Sequence, residues 1–241
     1  MLLEVSDVAL IAGEVQVFSG LTFRVASGET VAIAGAGGSG KTALTHLLLG
    51  LLLPTAGTIR LWEEDVAETS YYGRLRLRQR IGFLPQHPNL VGNLRLWENV
   101  ALPLMYHRGM ARAAALAAGG RLLDWAGAGP WGERFPGEVP AAVQKRTCLA
   151  RAIALEPEFV LLDDPLDGLD PTGAWHMERT VRELAAGRTL LCTTANARAA
   201  LQLGQRVAVL AGGKIALDGP AAAIAESTHP AIRSLLAEVP G

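Results

Sequence analysis

The sequence predicts an α/β fold: a mixed, mostly parallel sheet flanked by helices, with a helical segment inserted part-way along. Three observations carry it. Apolar runs of strand length recur at residues 30–34, 159–164, 189–193 and 207–210, and near-continuous hydrophobic strands mark a sheet covered on both faces. A glycine-rich octapeptide joins the first of these runs to a helical pattern, as a strand–loop–helix unit requires. Residues 94–155 then turn helical and alanine-rich.

In chain order, residues 2–8 and 21–25 alternate as strands, and Ser27, Gly28 and Glu29 make a turn into the run at 30–34. Residues 42–52 form a helix that Pro54 ends. Strands follow at 58–62 and at 81–86, the latter running into a loop. The helical stretch is interrupted by Gly-Pro loops near residues 127–130 and 136–140. Residues 159–164 end a strand in two carboxylates, residues 189–193 and 207–210 are buried strands, and residues 214–217 alternate. Residues 220–241 read as a short helical tail. There is no internal repeat and no low-complexity linker.

Composition narrows the class. The chain has 241 residues, 50% of them hydrophobic, ample for one large core. A formal net charge of −1 argues against a general nucleic-acid-binding surface. The basic run Arg74, Arg76, Arg78 and Arg80 is interleaved with Leu75 and Leu77, and reads as a solvated face over a partly buried strand or helix edge. Cys148 and Cys192 lie far apart in apolar stretches and read as core. Residues 1–5 enter a strand pattern without a targeting signal. The longest apolar stretch, near residues 47–53, falls far short of the roughly 20 residues of a bilayer span. A cytosolic protein is expected, with any membrane role exerted through partners.

Residues 35–42 read G-A-G-G-S-G-K-T: Gly35, Ala36, Gly37, Gly38, Ser39, Gly40, Lys41 and Thr42. This is the pattern of a phosphate-binding loop. Its glycines let backbone N–H groups turn inward around a triphosphate, and the next helix offers its positive N-terminal end. Lys41 would reach the outer phosphates and the Thr42 hydroxyl would ligate Mg²⁺. The same residues satisfy G-x-G-x-x-G, a dinucleotide fingerprint that needs an acid about 20 residues on. Glu63 or Glu64 could supply one, but the Lys41-Thr42 pair has no task in such a site.

With its remaining motifs, the chain resembles the ATPase subunit of an ABC transporter over nearly its whole length. Gln86 sits where that family places the glutamine that touches Mg²⁺ and senses the permease. Gln144-Lys145-Arg146 through Ala154, then Glu156-Pro157, looks like the family's signature helix. Asp163 matches the Walker B aspartate that holds Mg²⁺ through water, and Leu169-Asp170 the D-loop that crosses to the other subunit. The resemblance implies an ABC-type P-loop NTPase domain over residues 1–219, a helical subdomain at about 94–155 and a C-terminal helical tail at 220–241. It also implies ATP and Mg²⁺ as cofactors, with a second ABC ATPase subunit and an integral membrane permease as partners. Peripheral attachment to the cytoplasmic face of the inner membrane follows from the permease. Residues 97–104, W-E-N-V-A-L-P-L, are similar to exporters and extractors of envelope lipids and lipoproteins. Residues 229–236 are similar to the end of the Mla/Mce-type phospholipid-transport ATPases, which adds MCE-type and STAS-type subunits to the expected partners.

The departures from the family pattern are as informative. The signature L-S-G-G-Q falls on Val139, Pro140, Ala141, Ala142 and Val143. In a nucleotide-bound dimer of this family that serine and those glycine N–H groups cap the partner's γ-phosphate. Pro140 has neither hydroxyl nor N–H, and two alanines add methyl groups where the backbone must approach closely. The catalytic glutamate is Asp164, one methylene short. The switch histidine is Ala195, and the adenine-stacking aromatic is Ala12. Losing a water-positioning group costs about 10²–10⁴-fold in rate, and losing a charge-stabilising donor about 10²–10³-fold. The expectation is therefore ATP binding with poor hydrolysis. Two classes of function stand open: a subunit moving lipid across or out of the envelope, and a pseudo-ATPase that assembles or regulates a membrane complex. Lipoprotein release and peptide export are alternative subtypes of the first. His87 and His176 read as loop and surface residues, and the tryptophans as core or permease contacts.

Overall fold

The chain begins with a long antiparallel hairpin, β1 (Leu3–Ala12) and β2 (Val15–Val25), turned at Gly13 with φ 62°. The sequence marks only residues 2–8 and 21–25 as strand, and the shortfall has a physical cause. Asp7 takes φ 51° and the register slips between Val5 and Val8, as at a bulge, so the alternation breaks there. Beyond the slip, Ile11 and Val15 are exposed and show no apolar face.

β3 (Thr30–Ala34) is buried at every position. The glycine-rich loop carries it into α1 (Lys41–Leu48), whose preceding residue Gly40 has φ 98°. A Cβ at Gly40 would lie 2.7 Å from Val17 Cγ1 and 2.8 Å from Phe18 Cε1. Both the dihedral and the space there admit only glycine. The helix is shorter than the expected 42–52. Gly50 turns left-handed at φ 62°, and the N–H groups of Leu51 and Leu52 both reach back to His46 O. That left-handed ending stops the helix before Pro54 does, and leaves Leu51, Leu52 and Leu53 exposed.

β4 (Ala56–Leu61) and the short β5 (Glu64–Asp65) complete an antiparallel sheet of order β2-β1-β4-β5. This pairing removes the dinucleotide alternative. The strand after α1 pairs with β1 and not with β3, so β3, α1 and β4 do not form the parallel βαβ unit that a dinucleotide fold needs. The arginine run then forms α2 (Tyr71–Gln79), a helix with Leu77 buried. Arg74 donates to Thr69 O and Arg78 to Leu49 O.

Next come β6 (Ile81–Leu84), α3 (Leu96–Arg108), α4 (Arg112–Trp125), α5 (Ala141–Ala152), β7 (Phe159–Asp163) and α6 (Pro171–Ala185). β6 and β7 pair in parallel. Leu96, Val100, Leu123, Val139 and Val143 form a shared core of α3, α4 and the start of α5. Asn99, fully buried, accepts from Val91 N and donates to the carbonyls of Val91, Leu94 and Arg95. Its role is to fold the loop that leads into α3.

The chain then returns through β8 (Thr189–Thr194), α7 (Ala197–Leu203), β9 (Arg206–Ala211) and β10 (Lys214–Pro220). β3 lies between β8 and β9, parallel to both, and β10 runs antiparallel to β9. The sheet is mixed and mostly parallel, with helices around it, as the sequence predicts. The tail is two helices rather than one, α8 (Ala221–Glu226) and α9 (Pro230–Ala237). The residue before a proline disfavours the helical region, and the break falls at residues 227–229, just ahead of Pro230. Ile232 and Leu235 are buried.

The computed structural model describes residues 1–237, so the end of the expected tail, residues 238–241, lies outside the described residues. Two compact units make up the chain: Met1–Arg78 with the segment from Gly187 onward, and Gln79–Ala186. Among the described residues no helix is long and apolar enough to cross a membrane.

Candidate nucleotide site

The first unit holds residues 35–42. Gly35 N donates to Thr194 O at 3.1 Å, which ties the start of the loop to the end of β8, and Ser39 N donates to Ala36 O at 3.1 Å. Lys41 is only 8% exposed. Its Nζ donates to Gly35 O at 2.7 Å and to Ala36 O at 3.0 Å, so the cation lies across the loop's own carbonyls. Ser39 Oγ is buried with no hydrogen-bond partner. An orphaned hydroxyl and an inward-held ammonium in a loop of glycines fit a polyphosphate, whose oxygens would accept from both. Thr42 is exposed at the first turn of α1, and its hydroxyl is a hard oxygen donor of the kind Mg²⁺ takes.

Ala195, the residue expected at the switch position, directly follows Thr194, whose carbonyl binds the start of the loop, and it is exposed. Asn196 beside it caps α7, accepting from Ala199 N at 3.1 Å. A methyl group at position 195 supplies no proton and no hydrogen bond. Ala12 ends β1.

The second unit gathers the other candidates around one turn. Asp163 ends β7, 3% exposed, and Asp164 follows it, 8% exposed with φ 47°. Asp167 N donates to Asp164 O at 3.2 Å and closes the turn. Beneath it lies Lys145 of α5, 2% exposed, whose Nζ donates to Asp164 O at 2.8 Å and Asp167 O at 2.7 Å. Burial lowers the Lys145 pKa, while the charges of Asp167, Asp164 and Asp163 pull it back up. Gln86, after β6, donates from Nε2 to Asp167 Oδ2 at 3.1 Å. Asp170 caps α6 by accepting from Gly173 N at 3.2 Å.

Residues 139–143, where the sequence reading sets the signature, lie at the start of α5. Pro140 is the residue before the helix, and its carbonyl accepts from Val143 N and Gln144 N. Val139 is buried, while Pro140 and Ala141 are exposed. Gln144 Nε2 donates back to Val139 O at 3.2 Å, so the helix begins normally although it is preceded by Pro140 and opens on two alanines. Sequence reasoning missed Asp167 and the burial of Lys145. The lysine lies three and four residues before the buried Cys148 and Leu149, a spacing that places it on the inner face of the helix.

Residues 18–167 match the family described as ABC transporter, and the chain belongs to that family. It is 36% identical over 216 residues to "Nod factor export ATP-binding protein I" of Burkholderia orbicola (strain AU 1054), covering 89% of this chain and 69% of that protein. It is 38% identical over 174 residues to "Lipoprotein-releasing system ATP-binding protein LolD" of Chromohalobacter salexigens, covering 72% of this chain and 73% of that one. In fold it is similar to the dimeric post-hydrolysis state of the ATP-binding cassette MJ0796 bound to ADP and Pi. The TM-score is 0.84 at 24% identity, over 91% of this chain and 98% of that one. The chain is an ATP-binding subunit of the ABC transporter class.

Proposed function

We propose that this subunit binds Mg·ATP in the ordinary way, hydrolyses it poorly by itself, and powers or regulates the movement of lipid across or out of the cell envelope. The observation that carries the binding half is the phosphate loop, with Lys41 held inward and the Ser39 hydroxyl buried without a partner. Lys41 would meet the outer phosphates, and Thr42, Gln86 and Asp163 would hold Mg²⁺, whose chemistry is to draw charge from the phosphates. The impaired half rests on the missing groups: a carboxylate one methylene short at Asp164, a methyl at Ala195, and Val139, Pro140, Ala141 and Ala142 in place of a hydroxyl and two glycines.

The lipid reading is supported by the likeness of residues 97–104 and 229–236 to lipid-transport ATPases, and by a relative named for lipoprotein release. In the first of these segments Asn99 serves the fold, so the segment alone does not select a cargo. The partners proposed are a second ABC ATPase subunit, a permease that places the chain at the cytoplasmic face of the inner membrane, and MCE-type and STAS-type subunits.

Reconstitution of the complex isolated from its source tests the reading. ATP-dependent transfer of labelled phospholipid between membranes is expected. Release of a lipoprotein without phospholipid transfer would move the chain to the lipoprotein subtype. ATP binding with no turnover by the intact complex would favour the regulatory pseudo-ATPase, a reading supported by Asp164, Ala195 and residues 139–142.

A further inference from the structure

Gln86 is half-buried, and its side chain is directed by a neighbour. Its Nε2 donates to Oδ2 of Asp167 at 3.1 Å. A glutamine amide has a donating end and an accepting end, whereas a carboxylate only accepts. Turned the other way, the amide would set its oxygen against the Asp167 oxygen. Asp167 therefore takes the NH₂ end and leaves Oε1 as the free end. Only that oxygen can ligate a hard divalent cation.

Asp167 can direct its neighbour because its own backbone is fixed from two sides. Its N–H donates to Asp164 O, and its carbonyl shares the buried Lys145 ammonium with the carbonyl of Asp164. The carboxylate stands exposed on an anchored turn. Groups that hold metal ligands in the right orientation commonly matter about as much as the ligands.

We propose that Asp167 is a positioning residue for the cation: through its hydrogen bond it presents the carbonyl oxygen of Gln86, and not the NH₂ group, to the Mg²⁺ of bound Mg·ATP. This rests on the reading of Gln86 as a magnesium ligand, and the test separates the two. ATP affinity of the full-length chain is measured calorimetrically with excess Mg²⁺ and again with EDTA, for wild type, Asp167→Ala, Gln86→Ala and the double variant. The expected result is that each single variant loses about tenfold of the Mg²⁺-dependent gain in affinity. Affinity in EDTA stays within about twofold, because a defect in folding or in the phosphate loop would lower both values together. In the double variant the loss is no greater than in Gln86→Ala alone.

Asp167→Ala with a wild-type Mg²⁺ gain, beside a Gln86→Ala variant that has lost it, overturns the positioning role and leaves the ligand reading standing. A normal gain in Gln86→Ala overturns both. Additive losses in the double variant overturn the proposal too, since Asp167 would then act on the cation directly. So does a wild-type chain that binds ATP equally with and without Mg²⁺, for then no cation contact exists to be oriented.

Discussion

Lys41 and Lys145 are both buried cations, and their surroundings give them opposite tasks. Lys41 rests on carbonyls of a loop whose geometry suits phosphate, so its bonds are exchangeable. Lys41→Ala should abolish ATP binding in isothermal titration, and equal heats from variant and wild type would refute the phosphate loop as the binding site. The aromatic missing at Ala12 removes a stacking contribution of only about 1–3 kcal/mol, so wild-type binding should remain easily measured. Lys145 serves two carbonyls that have no phosphate to meet. Lys145→Met would remove the ammonium from both carbonyls, leaving Asp164 O with the Asp167 N–H and Asp167 O short of a donor, at a cost of about 1–3 kcal/mol in urea unfolding. Burial lowers the pKa of Lys145, so the folded chain gives up this proton at lower pH than the unfolded chain does. Stability from this group accordingly rises as pH climbs through the folded pKa towards the ordinary lysine range. The wild-type advantage over Lys145→Met should be wider at pH 10 than at pH 7, and a narrowing gap would contradict that sign.

At the scale of the element, α5 forms a sound helix on an altered first turn, since the carbonyl of Pro140 still accepts from Val143 and Gln144. The residues at 139–142 therefore leave the start of the helix intact. Asp164→Glu by itself should not restore brisk hydrolysis, because Ala195 and the Pro140 segment remain changed. Combining it with Ala195→His and Ser-Gly-Gly at residues 140–142 should raise steady-state turnover well above any single change. A single substitution that recovers full turnover would show the other positions to be harmless. The sequence made β3, the glycine loop and the start of α1 legible because the loop needs the positive φ of Gly38 and Gly40, which other residues rarely take, and so writes glycines ahead of Lys41. It hid α2, whose arginines alternate with leucines at the two-residue period of a strand although the segment folds as a helix, and it hid the early end of α1, decided by Gly50 rather than Pro54. Gln86, Asp163 and Asp164 could be read from order along the chain. Their link through Asp167 and Lys145 could not, because a lysine between Gln144 and Arg146 looks like one member of a solvated run.

At the scale of the whole molecule, the composite sites implied by the family resemblance make partnership the open prediction. Two copies of this chain would lack the glutamate, the histidine and the signature at both sites. An intact partner would give this chain's phosphate loop a good signature, and would itself face Val139-Pro140-Ala141-Ala142. One full ATP sandwich favours closure over none, so a heterodimer is expected. Native mass spectrometry of the complex would overturn this by finding two copies around one permease with no second ATPase. Within the second unit, the Lys145 contacts have a consequence in the time domain. The amide of Asp167, bonded to Asp164 O, sits on a turn tied to α5 by a shared ammonium, so the two should open together. Its proton should trade with solvent deuterium at the slow pace of the α5 interior and accelerate with that helix in Lys145→Met, a surface loop keeping the clock of a buried helix.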